Sequence, residues 1–181
     1  MSIGDLNDWK KDLKGIFSIE KGNMKRINAI REIMNQVTNE IVITSAGRIS
    51  RETHYVKDRP LNFYVQGSMG ATLGIGIGIA LCKPDKEIIV ISGDGDILIN
   101  LDNLVLLNKL QKIGKVKNLK LFILDNNEYQ TTGGQKTCSD AIDFRYLCDC
   151  KVIFCSNSEE DVPRIDISHK EIKERFMNAI R

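Results

Sequence analysis

Two apolar runs in the middle of the chain are typical of buried β-strands, and each ends in a polar cluster. The runs are residues 88–91 and 119–124, and the clusters that follow them are residues 93–96 and 125–128. Between the runs, residues 101–110 place apolar side chains near helical spacing, which predicts a strand–helix–strand unit. Strands joined by such a crossover are parallel, so we expect both clusters at the same edge of the sheet, where open α/β sheets bind ligands.

The remaining pattern continues the alternation of helix and strand. Further helices are predicted over residues 7–14, 23–37, 140–150 and 169–180, and further strands over residues 40–44, 62–65 and 152–155. In a glycine-rich stretch, Gly70, Gly74 and Gly78 recur every four residues, which on a helix predicts one face open to close packing. No dinucleotide fingerprint fits this stretch. The alternation predicts an α/β fold.

Composition narrows the class of protein. The length of 181 residues suits one domain, with residues 1–22 as a candidate N-terminal extension. The 26 basic and 24 acidic residues are nearly balanced, without a basic patch, which argues against nucleic acid as a partner. No apolar run has membrane length, so we expect no membrane partner and a cytoplasmic protein. The five cysteines form no zinc pattern, which favours free or structural thiols.

The two polar clusters are rich in oxygen donors, which favours a site for a hard cation. Mg²⁺ and Ca²⁺ prefer carboxylate, amide and carbonyl oxygens, and Mg²⁺ often shares its shell with phosphates. Glycines beside Asp94 leave backbone amides open to a phosphate. Taken alone, residues 93–95 are more simply explained as a turn that ends a strand. The second cluster at the same edge shifts the interpretation toward a cation site. An EF-hand loop is excluded because residues 97–99 are apolar.

Together these motifs resemble the signature of enzymes that depend on thiamine diphosphate (ThDP). The signature is Gly93-Asp94-Gly95 after one strand, followed by an asparagine-containing pair after the next. The chain resembles the ThDP-dependent decarboxylases of phosphonopyruvate and sulfopyruvate more strongly still, and the likeness extends from about residue 25 to the C-terminus. Its further motifs are residues 44–47, 50–52, 58–64, 67–70 and 132–135. It implies the diphosphate-binding half of such an enzyme, a three-layer sandwich with a mostly parallel sheet and helices on both faces.

The resemblance also implies roles for individual residues. Asp94, the side chain of Asn126 and the backbone carbonyl of Glu128 match the ligands of Mg²⁺. Met69 matches the bulky residue that holds ThDP in a bent conformation, although a core methionine is the alternative. The Gly67 carbonyl matches the acceptor for the amino group of the cofactor. The complete implied set of cofactor contacts is Gly67, Ser68, Met69, Gly93, Asp94, Gly95, Asp96, Asn126, Glu128 and Tyr129.

The family chemistry implies a substrate, a 2-oxoacid with a second anionic group that loses CO₂ to give an aldehyde. Arg51 is the candidate for binding the phosphonate or sulfonate group, with Ser50 assisting, and a surface arginine is the alternative. Residues 131–134 are consistent either with a loop that closes over the site or with a plain glycine hinge.

One part of the catalytic apparatus is missing from the sequence. The family supplies a glutamate against the pyrimidine ring from a separate pyrimidine-binding domain, and no glutamate here matches that motif. We therefore expect an alpha-type partner subunit that provides this glutamate, and a hetero-oligomer. The chain alone should bind the cofactor weakly and have little activity. Two other functions stay open: the ThDP subunit of a carboligating transferase or 2-oxoacid oxidoreductase, and a binding or regulatory module without turnover.

Two of the departures from the family pattern bear on the site and on the sheet. Asp96 stands where a serine or alanine is usual, and it brings a negative charge toward the expected diphosphate. Between residues 155 and 161 the chain lacks the helix and strand that the family normally has. Either the sheet loses an edge strand, or residues 152–155 serve as its last strand. An exposed edge of this kind favours a partner subunit.

Overall fold

A computed structural model describes residues 24–181 of the chain. The predicted helix over residues 7–14 and the predicted extension over residues 1–22 lie outside the described residues. The helices are α1 (Arg26–Gln36), α2 (Arg48–Val56), α3 (Thr72–Cys82), α4 (Asp94–Ile99), α5 (Asp102–Lys112) and α6 (His169–Ala179). The strands are β1 (Ile41–Thr44), β2 (Asn62–Tyr64), β3 (Ile88–Gly93), β4 (Leu119–Asp125), β5 (Glu128–Tyr129), β6 (Gln135–Lys136) and β7 (Lys151–Phe154).

Five strands form one parallel sheet in the order β2-β1-β3-β4-β7. The predicted crossover is confirmed, because β3 and β4 are parallel neighbours with Gly93 opposite Leu124. Asp94 and Asp125 therefore leave the sheet side by side. The strand predicted over residues 152–155 is present as β7 and occupies the edge position, so it serves as the last strand of the sheet.

Helices cover both faces of the sheet, which confirms the three-layer arrangement. Successive side chains of a strand point to opposite faces, so Ile41 and Ile43 pack into one core while Val42 packs into the other. The first core contains buried residues of α3, α5 and α6. The second contains buried residues of α1 and α2. Both cores leave the carboxyl ends of the strands free to form a site.

The helix predicted over residues 140–150 is wrong. Two separate 3₁₀ turns, Ser139–Ala141 and Phe144–Tyr146, occupy this segment. Ile142 between them is extended, and the Asp143 carboxylate accepts a hydrogen bond from the backbone N–H of Arg145 at 3.0 Å. A side chain that captures a nearby backbone donor competes with helix formation. The two turns instead bury Phe144 in the core.

The prediction of one packed glycine face is confirmed only in part, because a Cβ at Gly70 or Gly74 would contact residues 99–103 but the face does not extend further along α3. Gly70 precedes α3 and has a φ of +87°, and a Cβ built at Gly78 meets nothing within 4 Å. Gly76 instead faces the sheet, where a Cβ would overlap the side chain of Val90. The close approach of α3 to the sheet therefore depends on Gly76, which the four-residue spacing did not include.

The cysteines and the helices of the described residues bear on two expectations from composition. All five cysteines are free thiols, three of them buried and two exposed. Among residues 24–181, every helix is too short or too polar to cross a lipid bilayer. Residues 94–99, in contrast, form a helix that the sequence pattern did not predict. It begins directly at Asp94, so the polar cluster after β3 is the first turn of α4.

Candidate active site at the carboxyl edge of the sheet

A cavity of about 650 Å³ opens where β1, β3 and β4 end. This volume is typical of sites for small molecules and cofactors. Its walls come from residues 45–51, 65–67, 69, 93–96, 126, 128–132 and 164–165, together with Arg26 and Leu124. Every site residue predicted from the sequence lines this cavity except Ser68, which lies outside the lining. The lining members are Ser50, Arg51, Gly67, Met69, Gly93, Asp94, Gly95, Asp96, Asn126, Glu128 and Tyr129.

Asp94 sits at the inner end of the cavity with 1% of its surface exposed. The hydroxyl of Thr137 donates a hydrogen bond to its Oδ2. Burial raises the pKa of Asp94 more than this hydrogen bond lowers it, and the neighbouring Asp125 carboxylate raises it further. Two buried carboxylates this close to each other favour a cation between or beside them.

The turn after β4 positions Asn126. The Asp125 Oδ1 accepts the backbone N–H of Asn127 at 3.0 Å and the Ser139 hydroxyl at 2.9 Å. Asn127 has a φ of +56°, a left-handed conformation that asparagine adopts more readily than most residues. The second asparagine of the pair therefore serves the turn, and the first one faces Asp94.

The three predicted metal ligands meet at one point. One atom of the Asn126 side-chain amide lies 3.1 Å from Asp94 Oδ1 and 3.1 Å from the carbonyl oxygen of Glu128. If this atom is nitrogen, it donates to both oxygens. If it is oxygen, three oxygens face one another, and only a cation stabilises them. Adjacent ligands of an octahedral Mg²⁺ are about 2.9 Å apart, so the separation fits that ion.

Asp96 is turned into the fold. The residue is 6% exposed, and its carboxylate accepts hydrogen bonds from the backbone N–H of Gly70 and from the Ser92 hydroxyl, each at 2.7 Å. The Asp96 carboxylate, whose charge is a departure from the family pattern, thus connects α4 to the loop that carries Met69. The carboxylate acts as a structural link, and the backbone of Asp96 remains at the cavity wall.

Two glycines at the cavity are needed for different reasons, one for close packing and the other for its backbone conformation. A Cβ at Gly95 would overlap the ring of Tyr129, so this glycine allows the tyrosine to pack against the start of α4. A Cβ at Gly67 would meet nothing within 4 Å, but its φ of +74° favours glycine. Met69 follows with 44% of its surface exposed, so it is available to a ligand and is not a core methionine.

Apart from Arg26, which is paired with the buried Glu52, three arginines line the cavity: Arg48, Arg51 and Arg164. Burial, together with repulsion from Arg164 and Arg48, lowers the pKa of Arg51. Arginine nevertheless remains charged at any ordinary pH. Among the described residues, no carboxylate is seen to form a salt bridge with any of the three. They form a positively charged wall suited to an anionic group.

The proposed assistance of Ser50 at an anion does not agree with the structure. Ser50 is 2% exposed, and its hydroxyl donates to the carbonyl of Ser45 at 2.7 Å and lies 2.8 Å from the hydroxyl of Thr44. These contacts fix the connection between β1 and α2. Ser50 therefore supports the segment that carries Arg51 and is not available as a ligand.

Sequence reasoning missed several residues of the site. Arg48 had a usable signal, since it lies three residues before Arg51 and shares its helix face. Thr137 contacts Asp94 from 43 positions away, and Asn157 contacts Asn126 from 31 positions away. Contacts at such separations leave no periodic pattern in a single sequence. Arg164 was missed because it reaches the cavity from a segment without regular secondary structure.

Comparison with known families places this site in context. The model of the family described as thiamine pyrophosphate enzyme, C-terminal TPP binding domain, matches residues 44–155. Sulfopyruvate decarboxylase subunit beta of Methanococcus maripaludis is 34% identical, over 87% of this chain and 98% of that subunit. Phosphonopyruvate decarboxylase of Streptomyces viridochromogenes is 30% identical over 76% of this chain, but the match covers only 34% of that enzyme.

A solved structure supports the fold independently. Benzoylformate decarboxylase from Polynucleobacter necessarius superimposes with a TM-score of 0.52 at 14% sequence identity. The match covers 87% of this chain and 31% of that one. The chain therefore spans about a third of the length of that enzyme and nearly the whole length of the beta subunit that it resembles.

Proposed function

Because this chain belongs to the thiamine pyrophosphate enzyme family, whose cofactor is also called ThDP, we propose that it is the diphosphate-binding subunit of a ThDP- and Mg²⁺-dependent 2-oxoacid decarboxylase. The observation that carries the proposal is the meeting of Asp94, Asn126 and the Glu128 carbonyl at the inner end of a cofactor-sized cavity. These oxygens are the ligands that Mg²⁺ prefers, and their spacing fits that ion.

Several residues of the chain would hold the cofactor. The oxygen cluster would bind Mg²⁺, which in turn would hold the diphosphate. Gly93, Gly95 and Asp96 would face the diphosphate with their backbone groups. The exposed Met69 would support the cofactor between its two rings, and the Gly67 carbonyl would accept from its amino group. When bound, ThDP supplies a carbon nucleophile and an electron sink for decarboxylation.

The arginine wall supports a doubly anionic substrate. A 2-oxoacid already carries one carboxylate, and a phosphonate or sulfonate at its other end would require a second cationic site. Arg51 is the residue that we propose binds this distal group, with Arg48 and Arg164 as neighbours. Guanidinium groups bind such oxyanions through paired charge-assisted hydrogen bonds. Similarity to the sulfopyruvate and phosphonopyruvate decarboxylases supports the same substrate class.

Activity would require a pyrimidine-binding partner subunit. Among residues 24–181, Glu128 is the only glutamate that lines the cavity, and its carboxylate accepts a hydrogen bond from Asn157 at 2.7 Å. Glu52 is not part of the cavity lining: it is 1% exposed and forms a salt bridge with Arg26, which does line the cavity. A glutamate for the pyrimidine ring would therefore come from another subunit, and the likeness to a beta subunit supports a hetero-oligomer.

The test is decarboxylation by the reconstituted complex. The chain would be purified alone and together with a pyrimidine-binding partner, and CO₂ release from sulfopyruvate, phosphonopyruvate and pyruvate would be followed with ThDP and Mg²⁺ present. We expect turnover only in the complex and a preference for the two doubly anionic acids. Metal-dependent ThDP binding without turnover of any acid would contradict the decarboxylase assignment and favour a binding module. Preference for pyruvate would contradict the role of the arginine wall.

A further inference from the structure

Asn157 lies between two of the proposed metal ligands. Its Oδ1 is 2.7 Å from the Asn126 amide, and its Nδ2 donates to Glu128 Oε2 at 2.7 Å. Asn157 is therefore in contact with the side chains of both residues that share the oxygen cluster with Asp94. Neither the sequence pattern nor the family signature assigns a role to this residue.

The orientation of the Asn157 amide is determined by charged groups on its two sides. The Arg26 guanidinium, which can only donate, faces Asn157 Oδ1 at 3.3 Å. The Glu128 carboxylate, which accepts when ionised, faces the nitrogen. Arg26 is itself fixed by a buried bidentate salt bridge to Glu52, with N–O distances of 3.0 and 2.7 Å. Turning the Asn157 amide over would place like groups against each other on both sides.

The backbone around Asn157 is also anchored. Ser156 accepts the backbone N–H of Arg26 at 2.9 Å and donates its own N–H to the Met24 carbonyl at 2.8 Å. On the other side, the Ser158 hydroxyl accepts the backbone N–H of Ile27 at 3.0 Å. The segment that follows β7 is thus docked on the start of α1, and the side chain of Asn157 is presented at a fixed place.

This fixed amide determines the orientation of the next one. With Asn157 Oδ1 facing Asn126, the nearer atom of the Asn126 amide has to be its nitrogen, because two oxygens at 2.7 Å would repel. The Asn126 oxygen then points at Asp94 Oδ1 and the Glu128 carbonyl. Without Asn157, the opposite orientation would be preferred in the metal-free protein, since the amide nitrogen would donate to both oxygens.

We propose that Asn157 is a positioning residue of the metal site: it holds the Asn126 amide with its oxygen toward the cation and so prepares the three-oxygen cluster. The proposal rests on the proposed function, because that function supplies the cation. Outer partners that orient metal ligands typically change metal affinity about 10- to 100-fold when they are removed. The expected consequence of losing Asn157 is therefore weaker metal binding with little change in the fold.

The test is a titration of Mn²⁺, as a probe for Mg²⁺, into the full-length chain with ThDP, with free Mn²⁺ followed by electron paramagnetic resonance. Asn157→Ala should raise the Kd for Mn²⁺ about 10- to 100-fold. Ser158→Ala is the matched control, since it loosens the same segment at its hydrogen bond to Ile27 without touching Asn126. It should leave the Kd near that of the wild type. Thermal unfolding in EDTA would show that both variants remain folded.

A double variant separates orientation from general loosening. In Asn126→Asp/Asn157→Ala, the carboxylate presents an oxygen to the cation in either orientation, so Mn²⁺ affinity should recover relative to Asn157→Ala alone. A structural defect at position 157 would not be repaired by this change. No recovery, or an unchanged Kd in Asn157→Ala, would overturn the positioning role while leaving the proposed function intact. Absence of Mn²⁺ binding by the wild type would overturn both.

Discussion

Replacing Asp96 with alanine is expected to destabilise the protein and to loosen the loop that carries Met69. Asp96 is 6% exposed, and its carboxylate accepts hydrogen bonds from the Gly70 N–H and the Ser92 hydroxyl, each at 2.7 Å. Hydrogen bonds to a charged group contribute about 1.5–3 kcal/mol each, and a buried N–H without a partner costs about 1–3 kcal/mol. Because these terms overlap, we expect a loss of about 3 kcal/mol in the free energy of unfolding.

Asparagine at the same position should be much less damaging. Its amide oxygen can still accept from Gly70, and the Ser92 hydroxyl can accept from the amide nitrogen, because a hydroxyl is both donor and acceptor. The geometry survives and only the charge is lost, so Asp96→Asn should cost about 1 kcal/mol. The two variants together separate the hydrogen-bond geometry from the charge.

Urea denaturation followed by circular dichroism measures both changes. The free energy of unfolding should fall for each variant while the dependence on urea concentration stays constant, because the surface exposed on unfolding does not change. Asp102→Ala, an exposed aspartate in the first turn of α5, is the control and should lose less than about 1 kcal/mol. Equal losses for Asp96→Ala and Asp96→Asn, or a loss near that of the control, would refute the reasoning.

Three further predictions concern packing, pH dependence and substrate binding. Gly76→Ala should lower the free energy of unfolding by about 1–3 kcal/mol in urea denaturation, because its Cβ overlaps a core side chain. Gly78→Ala should raise it by up to about 1 kcal/mol, because alanine has the higher helix propensity, and equal effects would contradict the packing of α3. Burial alone would raise the pKa of Asp58, but hydrogen bonds, including those from Arg175, lower it below its usual value. The stabilising contribution of Asp58 is therefore complete above about pH 4 and is lost as the pH falls through the lowered pKa. Asp58→Asn should therefore reduce stability at pH 6 and flatten its fall in acid, and parallel pH curves would contradict this. Arg51→Met should raise KM for a doubly anionic acid about 10- to 100-fold with a smaller change in kcat, and an unchanged KM would contradict the anion site.

The main elements of the fold could be predicted because each has a characteristic pattern within a short stretch of sequence. Strands β3 and β4 are short apolar runs with polar clusters directly after them, and the crossover rule brings the two clusters together. The site followed from the same rule and from the family resemblance. Asp94 and Asn126 were assigned in this way, and the structure brings their side chains within 3.1 Å of each other.

The features that the sequence did not reveal depend on single side chains or on distant contacts. Residues 140–150 have helical composition, but Asp143 captures a backbone donor and breaks the segment into two turns. Asp96 was expected to face the diphosphate, yet its carboxylate finds the amide of Gly70, 26 positions earlier. The contact between Asn157 and Asn126 exists only because the end of β7 docks on the start of α1.

The central claim is that this chain contributes the metal and diphosphate half of a ThDP site, and calorimetry tests it most directly. ThDP would be titrated into the full-length chain with Mg²⁺ and with EDTA, and into Asp94→Asn, which keeps the side-chain shape and a partner for Thr137 but loses the charge. Asp102→Asn is the matched control, because Asp102 is exposed and lies far in sequence from Asn126 and Glu128. The account predicts saturable binding that requires Mg²⁺, is lost in Asp94→Asn and is unchanged in Asp102→Asn. Binding that ignores the metal or survives in Asp94→Asn would contradict it.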